Sequence, residues 1–357
     1  MMKPVDTLIN KISKYLPLWT KDQYPDAENI SFNNLRNPAQ GYSNETWLID
    51  LSWTKAGVPE VLPLVLRMQQ NQASAYRDYD LSIQYRCMQF LQGSKISVPK
   101  VFGYEASSQL FGTPFYLMER VDGLVPNENP LYHVEGWLHG LSLDERSKLW
   151  FEGLHCCAKL TQVNWSEGEL DFLKRPEFGQ TALAQIVGYF GDHMIWAESL
   201  NRPYPHLHRA YDWLLAHQPQ GEPEVLCWGD AKLGNCVYQD GVLVSALDWE
   251  GAHFGSPLMD VAWWITIDRC LSEGYGIPRL EGLPNTEVSL KYWENISGFS
   301  AENFYYYEVF SAFKLASIMA RIGTIYTQTG KVPAEYEMDI NNGAAAILAK
   351  LAKQHHF

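Results

Sequence analysis

A chain of 357 residues with 46% hydrophobic side chains is long enough for two core-containing lobes and has the composition of an ordinary globular protein, which excludes a disordered one. Its 28 Lys and Arg against 41 Asp and Glu leave a formal charge of −13, which argues against a nucleic-acid groove, since that needs a basic face. An acidic balance of this size would steer a cationic substrate, and it is equally common among proteins that bind none. Cys87, Cys156, Cys157, Cys227, Cys236 and Cys270 form no Cys-x-x-Cys pair and have no zinc-type spacing with His, so reduced thiols in a cytoplasmic setting are expected. The start, MMKPVDTLINKISKYLP, lacks the apolar core of a signal peptide, and no run reads as a membrane span.

Taken in chain order, residues 4–16 place Val5, Leu8, Ile9, Ile12 and Leu16 on one face of an amphipathic helix. Ile30, Phe32 and Leu35 alternate as a strand that ends at Asn37-Pro38. Gln40-Gly41-Tyr42-Ser43-Asn44 reads as a hairpin tip before a strand over Thr46–Trp53. Such a small tip suits backbone amides that close over phosphates, and it is also what any hairpin uses. Leu62–Arg67 reads as a buried strand ending on a cation, and residues 74–92 as a helix carrying Leu81, Tyr85, Met88 and Leu91. A strand opens at Val98-Pro99, and Phe115–Asp122 reads as another that breaks at Gly123. The chain is expected to divide there, into 1–123 and 124–357. Helices follow over Asp144–Val163, Thr181–Leu200 and Pro205–His217, and again over Val261–Ile267, Val288–Asn295, Phe304–Gln328 and Ala334–Leu351.

Between these two sets of helices lies CWGDAKLGNCVYQDGVLVSALDWEGAHFGSPLMD, residues 227–260. Two apolar runs, Val225–Trp228 and Cys236–Tyr238, enclose a polar loop with Asp230, Lys232 and Asn235. A turn at Asp240-Gly241 leads into a third run, Val242–Leu247, which ends on Asp248. Phosphoryl transfer from a nucleotide needs a carboxylate to orient and deprotonate the attacking hydroxyl, hard oxygen ligands for Mg²⁺, and a cation near the migrating group. Asp230 suits the first task, Asn235 and Asp248 the second, and Lys232 the third. Asp260 is expected to cap the next helix or to tie down the loop.

The stretch resembles the aminoglycoside phosphotransferase/choline kinase-like family, which writes roughly His-Gly-Asp-x-x-x-x-Asn followed by Ile/Leu-Asp-Trp/Phe-Glu. Here those positions read Trp228-Gly229-Asp230, Asn235 and Leu247-Asp248-Trp249-Glu250. The resemblance implies an α+β, protein-kinase-like two-lobed fold, with an N-terminal antiparallel sheet plus helix and a mainly helical C-terminal lobe. It implies that 1–123 is a nucleotide-binding lobe including the hinge, and 124–357 a catalytic and substrate-binding lobe. The implied cofactors are ATP and Mg²⁺, and the implied partner is a small molecule offering a hydroxyl, with no nucleic acid and no membrane surface.

Residue by residue, the resemblance puts Gly41, Ser43 and Asn44 at the nucleotide loop. Main-chain groups near Glu119 and Val121 fall where adenine is met. Arg67 stands where a Lys normally reaches the α- and β-phosphates, and it can grip phosphate bidentately. Gln84 stands nearest the position of that cation's Glu partner, with Asp80 one turn earlier as the alternative. Trp228 replaces a His that orients the loop, and its large body would buttress the loop by packing. Glu250 would support a second metal or form a salt bridge. Relatives use aminoglycosides, choline-like amines, sugars, homoserine-like compounds and hydroxyacyl thioesters as acceptors. Trp263, Trp264, Tyr292, Trp293 and Tyr305–Tyr307 are candidates for lining the acceptor pocket. A non-catalytic kinase-like nucleotide binder is the rival reading, given Arg67, Gln84 and Trp228. A hydrolase using Asp248 and Glu250 as paired acids would leave Asp230, Lys232 and Asn235 unexplained.

Overall fold

Trp47, Ile49, Leu51 and Trp53 are buried in alternation with less buried neighbours, which gives the central hairpin of the first sheet its core face. The computed structural model describes residues 4–38, 44–70, 74–167 and 169–357, and the structural statements concern those residues. Helix α1 (Pro4–Gln23) precedes strands β1 (Ala27–Arg36), β2 (Asn44–Lys55) and β3 (Val58–Gln69). β2 and β3 form a hairpin whose register runs without a break from Asn44 opposite Gln69 to Lys55 opposite Val58. It turns at Ala56-Gly57, both with positive φ (50° and 78°), as a two-residue hairpin loop requires. Helix α2 (Ser82–Leu91) and strands β4 (Val101–Glu105) and β5 (Phe115–Glu119) follow. The five strands pair antiparallel in the order β1-β2-β3-β5-β4. Ile12, Leu16 and Trp19 of α1 close one face of this sheet against Trp47, Ile49, Leu51, Leu64, Leu66 and Phe115.

The helix expected over 74–92 forms only from Ser82. Two interactions draw the preceding residues away from it. His193 shares hydrogen bonds with the Ala75 carbonyl at 2.9 Å and the Ser317 hydroxyl at 2.8 Å, and Arg77 pairs with Asp192 at 2.8 Å. The Asp80 carboxylate then accepts from the Ser82 amide at 2.8 Å, satisfying one of the free donors where the helix begins. The chain accordingly resolves into two compact units. One comprises Met1–Ser74, Tyr79–Gln92 and Pro99–Asp122; the other comprises Ala75–Asp78, Gly93–Val98 and Gly123–Phe357.

The second unit holds helices α3 (Leu143–Leu160), α4 (Ala182–Ser199) and α5 (Pro205–Ala216), then strands β6 (Val225–Cys227), β7 (Cys236–Gln239), β8 (Val242–Ala246) and β9 (His253–Gly255). Helices α6 (Leu258–Leu271), α7 (Thr286–Ser297), α8 (Phe304–Gln328) and α9 (Gly343–His355) complete it. α3 starts at a capping box in which Ser142 and Glu145 satisfy each other's backbone donors. β7 and β8 form a hairpin turned at Asp240-Gly241, where φ is 52° and 75°. β6 pairs instead with β9, a three-residue strand inside what the sequence presents as a glycine-punctuated connection. α8 packs against α4, α5, α6 and α9. It is long and apolar enough to cross a membrane, contrary to the sequence reading, but 72% of its apolar window is buried, as an interior helix requires.

Close packing of α3 on α6 rests on Gly153. A Cβ there would lie 1.9 Å from the ring of Trp264, which meets the buried Trp150 edge-on at 5.4 Å. Replacing a helical glycine by alanine normally gains about 0.5–1 kcal/mol. The expected overpacking cost of about 1–3 kcal/mol is larger. Gly153→Ala is therefore expected to lower the urea midpoint, and an equal or higher midpoint would contradict this packing.

Candidate active site

The loop after β6 is held by its backbone. The amides of Trp228 and Gly229 donate to the two carboxylate oxygens of Asp260 at 2.7 and 2.9 Å. Asp260 sits in the first turn of α6 and is buried, so it ties down the loop, one of the two roles expected of it. Burial pushes its carboxyl up to about 6, against the downward pull of the two amides and of Lys314. Gly229 has φ of 82°, and a Cβ on it would stand 1.9 Å from the Gly251 carbonyl oxygen, so only glycine fits. Trp228 is completely buried. Its Nε1 donates to the Leu247 carbonyl at 2.8 Å and its ring stacks on Trp249 with centroids 5.5 Å apart.

Anchored in this way, the loop presents Asp230. Asn235 Nδ2 donates to Asp230 Oδ2 at 2.7 Å and to the Asp230 carbonyl at 2.9 Å. Trp263 Nε1 donates to Oδ1 at 2.9 Å. The Asp230 side chain nevertheless keeps 22% of its surface exposed, so an incoming group can reach it. Lys232 Nζ lies 3.0 Å from the Glu128 carboxylate and 3.6 Å from Asp230 Oδ2. Burial opposes its charge, but the carboxylates of Asp230, Glu128 and Asp248 outweigh that and raise its pKa. The Leu247 amide donates to the Asn235 carbonyl at 2.8 Å, which sets the end of β8, and so Asp248, beside Asn235. Asp248 has φ of 59°, a left-handed conformation that a non-glycine residue adopts only where its surroundings impose it. Asp230, Lys232, Asn235 and Asp248 are thus brought together.

Three neighbours were not assigned to this cluster from the sequence. Glu128 comes from the loop between Pro126 and Pro130, which has no periodic signal. The sequence offers Trp263 only as a candidate for lining the acceptor pocket. Lys314 lies on α8, is 4% exposed, donates to the Gly229 carbonyl, and stands 4.0 Å above the Trp263 ring. Burial pulls its ammonium down to about 8, against the carboxylates of Asp230 and Asp260. A lysine in the middle of a mostly apolar helix was the available signal, since such residues are almost never fully buried without a partner. Tyr76, in the Ala75–Asp78 segment, is a further neighbour: burial raises its phenol, and the charges of Glu250, Asp230 and Asp248 raise it further.

The other candidates belong to the first unit. Arg67 is half-buried on β3, opposite Thr46 on one side and Tyr116 on the other. Gln84 is buried on α2; it accepts from the Tyr116 hydroxyl and donates to that of Tyr79, each at 2.9 Å. Glu119 ends β5 with its amide bonded to the Lys100 carbonyl at 2.7 Å, and Val121 follows two residues later in irregular chain. Asn44 opens β2, while Gly41 and Ser43 lie outside the described residues. Among the described residues, no three His, Cys, Asp or Glu side chains form a ready-made metal cage.

The sequence matches the APH phosphotransferase enzyme family over residues 34–283. Acyl-CoA dehydrogenase family member 10 of Mus musculus is 25% identical over 291 residues, covering 78% of this chain and 25% of that protein. Acyl-CoA dehydrogenase family member 11 of Homo sapiens is 22% identical over 280 residues, covering 73% and 33%. The chain thus spans a quarter to about a third of the length of these relatives. Among solved structures, a Ralstonia eutropha protein assigned as an aminoglycoside phosphotransferase matches with a TM-score of 0.69 at 20% identity, over 96% of this chain and 98% of that one. A mutant of the aminoglycoside phosphotransferase APH(4)-Ia, in ternary complex with ADP and hygromycin B, matches with a TM-score of 0.53 at 15% identity, over 95% and 98%. The fold is that of the kinase-like phosphotransferases, and the chain belongs to the APH phosphotransferase enzyme family.

Proposed function

We propose that this protein transfers the γ-phosphoryl group of ATP to the hydroxyl of a small molecule, with Asp230 as the base. The observation that carries the reading is a partly exposed carboxylate, aimed by Asn235 and Trp263, on a loop that also presents Lys232 and adjoins Asp248. The two N–H donors, one on each carboxylate oxygen, fix its direction. In the reaction Asp230 takes the proton of the acceptor hydroxyl. The acceptor oxygen bonds to the γ-phosphorus as the bond to the bridging oxygen breaks, and ADP leaves with that electron pair. Most of the acceleration then comes from placing these groups and offsetting charge.

Asn235 and Asp248 fit Mg²⁺ in donor chemistry. Asn235 commits its N–H group to Asp230, which leaves its carbonyl oxygen, and Asp248 offers a carboxylate. Held there, the ion would offset the negative charge of the β- and γ-phosphates. Lys232, kept protonated by its carboxylate neighbours, offsets charge on the migrating group. Arg67, Gly41, Ser43 and Asn44 are assigned to the nucleotide phosphates, and the main chain at Glu119 and Val121 to adenine. The corresponding functional division is a nucleotide lobe over 1–123 and a catalytic and acceptor lobe over 124–357. The six cysteines are buried and free, which accords with a reducing, ATP-containing cytoplasm. The rival reading of a pure nucleotide binder leaves the aimed carboxylate of Asp230 without a task.

For the acceptor, the relatives named as acyl-CoA dehydrogenase family members place a comparable stretch within much longer chains. A hydroxyacyl thioester is the acceptor class that links a hydroxyl kinase to acyl-CoA chemistry, and it is our first choice over an aminoglycoside. A panel of hydroxyacyl-CoAs, sugars, amino alcohols and aminoglycosides, read by ADP release, tests this. Turnover confined to aminoglycosides would reject it.

Asp230→Asn is expected to lower kcat by about 10³-fold, within the range found for general bases. Binding of MgATP, read by calorimetry, should persist; turnover equal to wild type would reject Asp230 as the base. Lys232→Met is expected to cost about 10–100-fold in kcat, because it removes a cation from the developing charge. An unchanged kcat would assign Lys232 to the Glu128 ion pair alone.

A further inference from the structure

We propose that Lys314 is a positioning residue for Asp230, gripping from α8 both the peptide that carries the base and the indole that holds its carboxylate. The inference rests on Asp230 being the base. Gly229 is clasped at both polar ends: its amide by Asp260 of α6 at 2.9 Å, and its carbonyl by Lys314 Nζ of α8. That carbonyl belongs to the peptide whose nitrogen is that of Asp230, so a shift of Lys314 turns the base directly.

The second grip acts through Trp263. Lys314 Nζ lies 4.0 Å from the centroid of its ring, and the same indole donates to Asp230 Oδ1 at 2.9 Å. A desolvated ammonium over an indole face is a favourable cation–π contact, and it restricts the tilt of the ring. A restricted ring restricts the direction of its N–H. Phe190 of α4 closes another side of the ammonium at 5.4 Å. The charged or titratable groups around it are the carboxylates of Asp230 and Asp260, the Cys227 thiol and the His253 imidazole. Buried and committed to Gly229, Lys314 is placed to hold the loop, unlike Lys232, which keeps 18% of its side-chain surface exposed.

The test uses the full chain with MgATP alone, water serving as acceptor, and compares wild type, Lys314→Met, Trp263→Phe and the double variant. Lys314→Met keeps the length of the side chain and removes the ammonium. It is expected to fold, to keep KM for ATP within about twofold, and to lose about 30-fold or more in kcat, the pattern of lost transition-state positioning. Trp263→Phe leaves a smaller aromatic ring beside the ammonium and removes the N–H, with an expected loss of about 10-fold in kcat. Because both act through one carboxylate, the double variant should lose clearly less than the product of the two. A kcat for Lys314→Met within about threefold of wild type, a loss carried by KM, or multiplicative losses would overturn the proposal.

If Lys314→Met does not fold, Trp263→Phe decides: a fall in kcat at constant KM supports the proposal, and an unchanged kcat overturns it. A wild type that consumes no ATP with water or any acceptor overturns the assignment of Asp230 and this inference with it. A wild type that turns over beside an unimpaired Lys314→Met leaves Asp230 as the base and removes only Lys314.

Discussion

One carboxylate receiving two consecutive backbone amides carries the local architecture. After β6 the chain leaves its strand pairing, so the Trp228 and Gly229 amides need acceptors in a buried setting, and both find them on Asp260. Leaving either donor unsatisfied would cost about 1–3 kcal/mol, which is why the loop has one conformation to offer. Asp260 lies in the first turn of α6, and Trp263 follows three residues later, one turn along the same helix. The helix that anchors the loop therefore also supplies the indole that donates to the Asp230 carboxylate. α8 packs across α6 and sends Lys314 to the same glycine from another direction. Gly229 has to be glycine for this convergence, since the Gly251 carbonyl occupies the space of any side chain.

What could be read from the sequence was local. Asp230, Asn235 and Asp248 stand within nineteen residues, on two short strands and a loop whose turn chemistry is explicit in Asp240-Gly241. Their convergence follows from a hairpin and one backbone hydrogen bond. The bounds of α8 were legible for a similar reason, as Phe304–Gln328 is mostly apolar and contains no proline. The expectation that Trp228 buttresses the loop by bulk matches its stacking on Trp249.

What escaped the sequence was long-range. Glu128 meets Lys232 across 104 positions, and Lys314 meets Gly229 across 85, distances at which spacing carries no information. The overlong helix at 74–92 has the same origin. Periodicity favours a helix there, but His193 and Asp192, more than a hundred residues away, bond to Ala75 and Arg77 instead. β9 is too short to carry a period, and only its partner β6 makes it a strand.

The electrostatic character of the cluster explains why a nucleotide would need a cation as companion. Asp230, Asp248 and Glu250 bear on one phenol, Tyr76, and their negative charge is met locally by Lys232 and Lys314. Both lysines are already engaged with protein oxygens, so the charge of a triphosphate calls for further neutralisation. The most direct measurement is a crystal structure of the protein with a non-hydrolysable ATP analogue and MgCl₂. The predicted result places a metal ion on the oxygens of Asn235 and Asp248, with the terminal phosphoryl group facing the Asp230 carboxylate. A nucleotide bound with its phosphates directed away from Asp230, and no ion on Asp248, would contradict the assignment.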